Sequence, residues 1–178
     1  MDRRRTALVL IDVQDGFSHA IPGWDGLLDR IRRLIEGVRL MGVPVLVTEQ
    51  VPEKLGATAS VLAEALDGAE PIPKTTFSCV GNEAFCAALQ DLDVDRVIVV
   101  GVEAHVCVYQ TVRDLRLRGL EVCVPYDGVA SRRESDRDAA LETMRDCGAE
   151  IMGVEMILTA LLGDVSDPLF RSLLKLLK

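Results

Sequence analysis

The segment Ala7-Leu8-Val9-Leu10-Ile11-Asp12 decides the fold, because five consecutive apolar residues end at a carboxylate. A strand that is apolar on both faces is typical of a parallel sheet covered by helices on both sides. Short apolar runs recur along the chain, with helical periodicity between them. These runs are predicted at 44–48, 70–73, 96–101, 121–125 and 150–154. The sequence therefore predicts an α/β fold with a doubly wound parallel sheet and helices on both of its faces.

The segments between the runs have the pattern of amphipathic helices. In residues 27–38 the apolar side chains recur at steps of three and four, and charged residues occupy the opposite face. Proline is common at the first position of a helix, so Pro168 supports a last helix at about 167–177. Its apolar face is expected to dock on the protein's own domain or, alternatively, to contact a second subunit. Further helices are predicted at about 58–67, 82–91, 106–118 and 135–147.

Composition restricts the class of protein. The chain of 178 residues is 49% hydrophobic and is expected to form a single domain over residues 1–178. Its 20 basic and 28 acidic residues give a net charge of −8, so no nucleic-acid partner is expected. No apolar stretch approaches the roughly 20 residues of a membrane-spanning helix, so no membrane partner is expected. Only five apolar residues follow the basic N-terminus, which is too few for the apolar region of a secretory signal. Five cysteines without a CxxC pair are typical of reduced thiols, so a cytoplasmic location is expected.

Three reactive side chains follow strands of the predicted sheet, where ligands of such sheets bind. Asp12 and Lys74 come directly after two apolar runs, and Cys107 lies at the start of the helix after another. A helix N-terminus and a nearby ammonium both favour a thiolate. Asp12 can take the thiol proton and later return it to a leaving amine or activate a water. Taken singly, each has a structural explanation as a turn cap, a solvated lysine or a buried thiol. Together, they predict a nucleophilic site.

Histidine and metal chemistry are also conceivable. A Cys107–His105 pair is disfavoured because residues two apart do not share a helix face. A zinc site built from His105, Cys107, Cys79 and Cys86 fits no structural zinc spacing. We therefore expect no metal and no cofactor.

The loop after Asp12 is expected to contact the substrate. His19 would have to fold back over the cleft to act as a base, and it is expected instead to line a substrate pocket with Phe17 and Trp24. Gln14 is expected to hold either this loop or the substrate.

Four segments of the chain resemble the isochorismatase-like cysteine hydrolases. They are Leu10-Ile11-Asp12-Val13-Gln14-Asp15-Gly16-Phe17, Lys74-Thr75-Thr76-Phe77-Ser78, Gly101-Val102-Glu103-Ala104-His105-Val106-Cys107-Val108 and Tyr126-Asp127-Gly128-Val129-Ala130-Ser131. The resemblance spans about residues 5–160. It implies a six-stranded sheet of order 3-2-1-4-5-6, a homo-oligomer, either dimer or tetramer, and hydrolysis of a small amide or related acyl substrate.

The resemblance also implies roles for individual residues. The catalytic triad would be Asp12, Lys74 and Cys107, with a thioester formed on the cysteine. A cis peptide between Val102 and Glu103 would turn the backbone N–H groups of Glu103 and Cys107 toward the developing oxyanion. Ala104 departs from the threonine or serine that members usually carry there, which puts one hydroxyl contact near the oxyanion loop in doubt.

Subfamily features separate the possible reactions. Residues 47–56 resemble a branch of isochorismatase domain-containing proteins whose physiological substrate is unassigned. No histidine lies between His19 and His105, so a zinc-dependent nicotinamidase is disfavoured. Cys107 also argues against hydrolysis of the vinyl ether of isochorismate. The alternative class is a non-catalytic protein that binds a small molecule or senses redox state through the same thiol.

Overall fold

The computed structural model describes all 178 residues, and a parallel β-sheet lies at its centre. The strands are β1 (Thr6–Ile11), β2 (Val45–Gln50), β3 (Ile72–Lys74), β4 (Arg96–Val102), β5 (Glu121–Pro125), β6 (Val129–Ala130) and β7 (Glu150–Met152). Six of them lie in the order β3-β2-β1-β4-β5-β7, and every pair is parallel. The predicted strand order is therefore confirmed. The two-residue strand β6 pairs with β4 and is a seventh strand that the sequence prediction lacked.

Helices cover both faces of this sheet. They are α1 (Trp24–Leu40), α2 (Pro52–Leu55), α3 (Ser60–Leu66), α4 (Glu83–Asp91), α5 (Tyr109–Leu117), α6 (Glu134–Asp146), α7 (Val154–Leu162) and α8 (Phe170–Leu177). The five inner helices predicted from periodicity are confirmed to within a few residues, whereas α2 and α7 were not predicted. None of the helices combines the length and the apolar character that a bilayer crossing requires.

Side chains of the central strands point alternately to the two faces of the sheet, so the core has two parts. On β1, Leu8 and Leu10 pack with α1, α3, α7 and α8 on one face. Val9 and Ile11 pack with α4, α5 and α6 on the other. Because successive side chains of a strand point to opposite faces, one wholly apolar strand contributes to both clusters.

The C-terminal helix packs on the protein's own core. It begins at Phe170, later than the predicted position 167, because Asp167 accepts a hydrogen bond from the Leu169 N–H in a turn that precedes the helix. Leu173 is buried within the cluster that contains α1 and α7. The apolar face of α8 is therefore used within the chain.

A glycine allows the two central strands to approach at the edge where the reactive residues lie. Gly101, near the end of β4, has φ +130°, and a Cβ atom there would lie 2.1 Å from the Ile11 carbonyl oxygen. Only glycine avoids this clash. The close approach places the end of β4 beside the residue that follows β1, which is Asp12.

Candidate active site

Asp12 is fully buried immediately after β1 and is fixed by its backbone and by both carboxylate oxygens. It has a left-handed backbone conformation (φ 56°), which aspartate tolerates better than most residues. Its N–H donates to the Thr48 carbonyl (3.1 Å), and the Thr48 hydroxyl donates to Asp12 Oδ1 (2.8 Å). Lys74 Nζ donates to Oδ2 (2.7 Å). The carboxylate therefore has a donor on each oxygen.

Lys74 ends β3 and forms a buried ion pair with Asp12. Its Nζ also lies 2.6 Å from Gln50 Oε1 and 3.1 and 3.2 Å from the carbonyl oxygens of Thr76 and Phe77. An ammonium group has three protons to donate and no lone pair, so four surrounding acceptors suit only the charged form. Lys74 is thus a fixed positive charge beside Asp12 and is unsuited to act as a base.

Cys107 completes the group from the core cluster that also contains Cys79, a neighbour of Thr48. It lies in a single π-helical turn, Ala104–Val108, between β4 and α5. Burial and the negative charge of Asp12 raise the pKa of its thiol to about 12, and the positive charge of Lys74 acts to lower it. The structure therefore brings together the three side chains that the sequence singled out.

The expectation that Cys107 is a thiolate is wrong. Sequence reasoning assigned a helix N-terminus and a nearby ammonium to Cys107, both of which favour ionisation. In the structure α5 begins two residues later, at Tyr109, and the ammonium of Lys74 is already paired with Asp12. Burial and the aspartate charge outweigh the lysine, so the pKa of Cys107 rises instead of falling. The resting thiol is protonated, and any nucleophilic role requires Asp12 to remove its proton during the reaction.

Three buried thiols make the free energy of unfolding sensitive to alkali. Burial raises the pKa of Cys79 to about 11, and that of Cys107 and Cys123 to about 12, from an ordinary value of 9.0. Above pH 9 the unfolded chain loses thiol protons that the folded protein retains, so stability falls as pH rises from 9 to 11. Each thiol contributes a slope of up to ~1.4 kcal/mol per pH unit. In denaturant titrations under reducing conditions, Cys123→Ala should flatten this slope, and the half-buried Cys86→Ala should not. Equal slopes for both variants would contradict the assignment.

Two residues of the site were missed by sequence reasoning. Thr48 holds Asp12, and Gln50 holds Lys74. They are two residues apart at the end of β2, so their side chains share one face of the sheet. The signal was present, since polar residues ended an apolar strand at the predicted edge, but these residues were used only to identify the subfamily.

Gln14 is occupied by protein contacts. Its side-chain amide donates to the carbonyl oxygens of Gln50 (3.1 Å) and Gly56 (2.6 Å), and its Oε1 accepts the Gln50 N–H (2.8 Å). Of the two roles expected for it, holding the loop agrees with these contacts. Phe17 and Trp24 pack against the core cluster on the α1 face, and His19 is exposed. These three side chains form no hydrogen bond with the Asp12–Lys74 pair.

The loop after β4 has the cis peptide between Val102 and Glu103. The Glu103 carboxylate accepts hydrogen bonds from the Arg132 N–H (3.1 Å) and from its guanidinium (2.9 Å). His105 Nδ1 lies 3.0 Å from the Ser131 hydroxyl. Glu103 is thus paired with a cation, and His105 has a hydrogen-bond partner other than the thiol.

One cavity adjoins Lys74, and two larger ones are lined by none of the three side chains. The first, of about 190 Å³, is lined by Lys74, Val51, Pro52 and neighbouring residues of the α2 segment. Another of about 260 Å³ lies between the π-helical turn and α6 and is lined by His105 and Tyr109. A larger cavity of about 500 Å³ lies elsewhere, between α1 and the start of α7.

Comparison with known proteins identifies the family. The model of the isochorismatase domain matches residues 6–156. The chain belongs to the isochorismatase family. It is 38% identical to isochorismatase domain-containing protein 1 of Salmo salar over 97% of this chain and 61% of the relative. It is also 38% identical to isochorismatase domain-containing protein 2 of Macaca fascicularis, over 96% of this chain and 82% of that protein. The chain therefore spans about three fifths of the salmon relative. Family membership indicates a hydrolase.

Several solved structures superimpose closely on this chain. The structure of the MAR1 ribonuclease from Caenorhabditis elegans has a TM-score of 0.94 and 37% identity, covering 99% of this chain and 91% of that one. YcaC from Pseudomonas aeruginosa, solved with hexane-2,5-diol and covalent acrylamide, has a TM-score of 0.93 at 22% identity, covering 99% and 90%. The Escherichia coli YcaC product, described as an octameric hydrolase of unknown specificity, also has a TM-score of 0.93 at 22% identity, covering 99% and 88%. The last two likenesses show the fold alone.

Proposed function

We propose that the protein is a cysteine-dependent hydrolase of a small amide or related acyl compound, with Asp12, Lys74 and Cys107 as its catalytic triad. The observation that supports this most is the burial of the Cys107 thiol close to a carboxylate, Asp12, that is itself ion-paired with a buried lysine. A nucleophile, a base and a group that orients the base are the parts that nucleophilic catalysis needs.

The first half of the reaction acylates the thiol. Asp12 takes the proton from Cys107 while sulfur attacks the carbonyl carbon, giving a tetrahedral oxyanion. The C–N or C–O bond then breaks, and Asp12 returns the proton to the leaving amine or alcohol. An acyl thioester remains on Cys107, and Lys74 stabilises the negative charge as it moves between sulfur and carboxylate.

Backbone amides provide a place for the oxyanion. The Glu103 N–H has no acceptor in the protein and follows the cis peptide, and together with the Cys107 N–H it forms the proposed oxyanion hole. Arg132 keeps the Glu103 carboxylate paired, which limits its repulsion of the oxyanion.

The second half releases the acid. Asp12 removes a proton from water, hydroxide attacks the thioester, and the C–S bond breaks as the proton returns to sulfur. The triad is regenerated, and the reaction as written requires no cofactor. Gln14 contributes by holding the segment of residues 50–56, and Phe17 and Trp24 by supporting the loop after Asp12.

The redox-sensing alternative is less well supported. Susceptible sensor thiols have a low pKa and are solvent-accessible. Cys107 is 7% exposed, and burial together with the Asp12 charge raises its pKa to about 12.

A substrate panel tests the proposal. Small amides, esters and thioesters are incubated with the protein, and intact mass followed by peptide mapping detects an acyl adduct on Cys107. Because the C. elegans neighbour is named a ribonuclease, an RNA oligonucleotide is included. We expect acylation of Cys107 with release of acid, and no RNA cleavage, in agreement with the net charge of −8. RNA cleavage that persists in a Cys107→Ala variant would reject the proposal.

We also propose that the protein forms a homo-oligomer. Large apolar side chains remain exposed on the single chain, among them Phe77, Leu117, Tyr126 and Met156. Light scattering coupled to gel filtration should give a mass that is a multiple of the 19.4 kDa chain. A mass equal to one chain at micromolar concentration would contradict this expectation.

A further inference from the structure

Strand β2 presents its last polar residues alternately to the two faces of the sheet. Thr48 and Gln50 face the Asp12–Lys74 pair, whereas the intervening Glu49 accepts hydrogen bonds from the N–H and the hydroxyl of Thr58. Glu49 therefore anchors the loop on the opposite side. Thr48 is the residue of this strand that contacts the proposed base directly.

We propose that Thr48 is a positioning residue for the reaction, whose hydroxyl holds one oxygen of Asp12 so that the carboxylate can take the Cys107 proton. This inference rests on the proposed function. The Thr48 hydroxyl lies 2.8 Å from Oδ1 and the Lys74 ammonium 2.7 Å from Oδ2. With a donor on each oxygen, the carboxylate plane cannot rotate without losing a buried hydrogen bond.

The hydroxyl proton of Thr48 is directed toward the carboxylate. Its oxygen lies 3.8 Å from Cys79 Sγ, within reach of a hydrogen bond to sulfur. Burial raises the pKa of Cys79 to about 11, so this thiol is protonated at neutral pH and can donate to the Thr48 oxygen. An ionised carboxylate has no proton to give. The proton between Thr48 and Asp12 therefore belongs to the Thr48 hydroxyl, and this hydrogen bond does not depend on the contact with Cys79.

This arrangement has a chemical consequence. Thr48 thus fixes the orientation of the Asp12 carboxylate, which a general base needs if it is to meet the thiol proton. The backbone of Thr48 also contacts Asp12, since the Thr48 carbonyl accepts the Asp12 N–H. That hydrogen bond would survive a change of side chain.

Acrylamide is a suitable probe because the test does not need the natural substrate. A bond forms between Cys107 Sγ and the terminal carbon of the alkene, and the thiol proton passes through Asp12 to the carbon next to the carbonyl. Site-resolved mass spectrometry measures the rate constant at Cys107 from pH 5 to 9. We expect Thr48→Val to lower this rate constant about tenfold at pH 7, because the carboxylate loses the donor that orients it. Thr48→Ser keeps the hydroxyl and should stay within about threefold of the wild type.

Cys79→Ala is the matched control, since it removes a buried neighbour of Thr48 but leaves the donor to Asp12, and it should react nearly as the wild type does. The inference is overturned if Thr48→Val matches the wild type in rate. It is also overturned if Thr48→Ser or Cys79→Ala is as slow as Thr48→Val, because packing would then explain the effect. Thermal melts of all variants accompany the rates. Absence of an adduct on Cys107 in the wild-type protein would reject the proposed function itself, together with this inference.

Discussion

Replacement of Cys107 by alanine should remove hydrolysis, with a loss of roughly 10⁴-fold or more in kcat/KM on any substrate that the panel identifies. The reason is that the proposed pathway forms its only covalent bond at this sulfur, and no other thiol can substitute. Cys79 is buried behind Thr48 and Asp12, and Cys86 and Cys147 lie on the outer helices. The acyl adduct should vanish from the intact mass at the same time.

The fold of this variant should be unchanged, because alanine fits within the volume of the thiol and Asp12 keeps its contacts with Thr48 and Lys74. Cys86→Ala is the matched control and should retain full activity. Cys107→Ser is more demanding, since it keeps a proton for Asp12 to remove but presents a hydroxyl, which is a far weaker nucleophile than a thiol. It should bind substrate and turn it over very slowly. Activity of Cys107→Ala within tenfold of the wild type would remove the nucleophile from the proposal.

The fold could be predicted well from the sequence because buried parallel strands leave continuous apolar runs. The run before Asp12 located β1, and similar runs located the other long strands. The prediction missed helix α7 within residues 150–162, where strand β7 is followed after a single residue by this apolar helix. A continuous apolar segment does not by itself distinguish a buried strand from a buried helix. The two-residue strand β6 is too short to leave any periodic signal.

The proximity of Asp12, Lys74 and Cys107 could also be predicted, but the protonation state of the thiol could not. Asp12, Lys74 and Cys107 are each placed by the end of a strand, which a sequence reveals. The pKa of Cys107 depends instead on how deeply the thiol is buried and on which charge Lys74 already neutralises. Those are properties of three-dimensional packing. The contact of Thr48 with Asp12 is of the same kind, since it depends on the register of β2 against β1.

Replacement of Lys74 by methionine should destabilise the protein by ~3–5 kcal/mol, because it leaves the Asp12 carboxylate buried without its cation. Both side chains of this pair are inaccessible to solvent. Methionine preserves much of the volume of the lysine side chain. The loss of stability therefore comes mainly from the missing charge and less from a cavity. Gln50 Oε1 and the Thr76 and Phe77 carbonyls would lose their shared donor as well.

A double variant separates structural cost from chemistry. In Asp12→Asn/Lys74→Met neither charge remains, so chemical denaturation should show that most of the lost stability returns, whereas hydrolysis should stay absent because no base is left for the thiol. A double-mutant cycle over the four proteins then gives the interaction energy of the pair. If the double variant is as unstable as the sum of the two single variants, the pair does not interact in the folded protein. If it regains activity with its stability, Asp12 and Lys74 serve the fold alone, and Cys107 must lose its proton by another route.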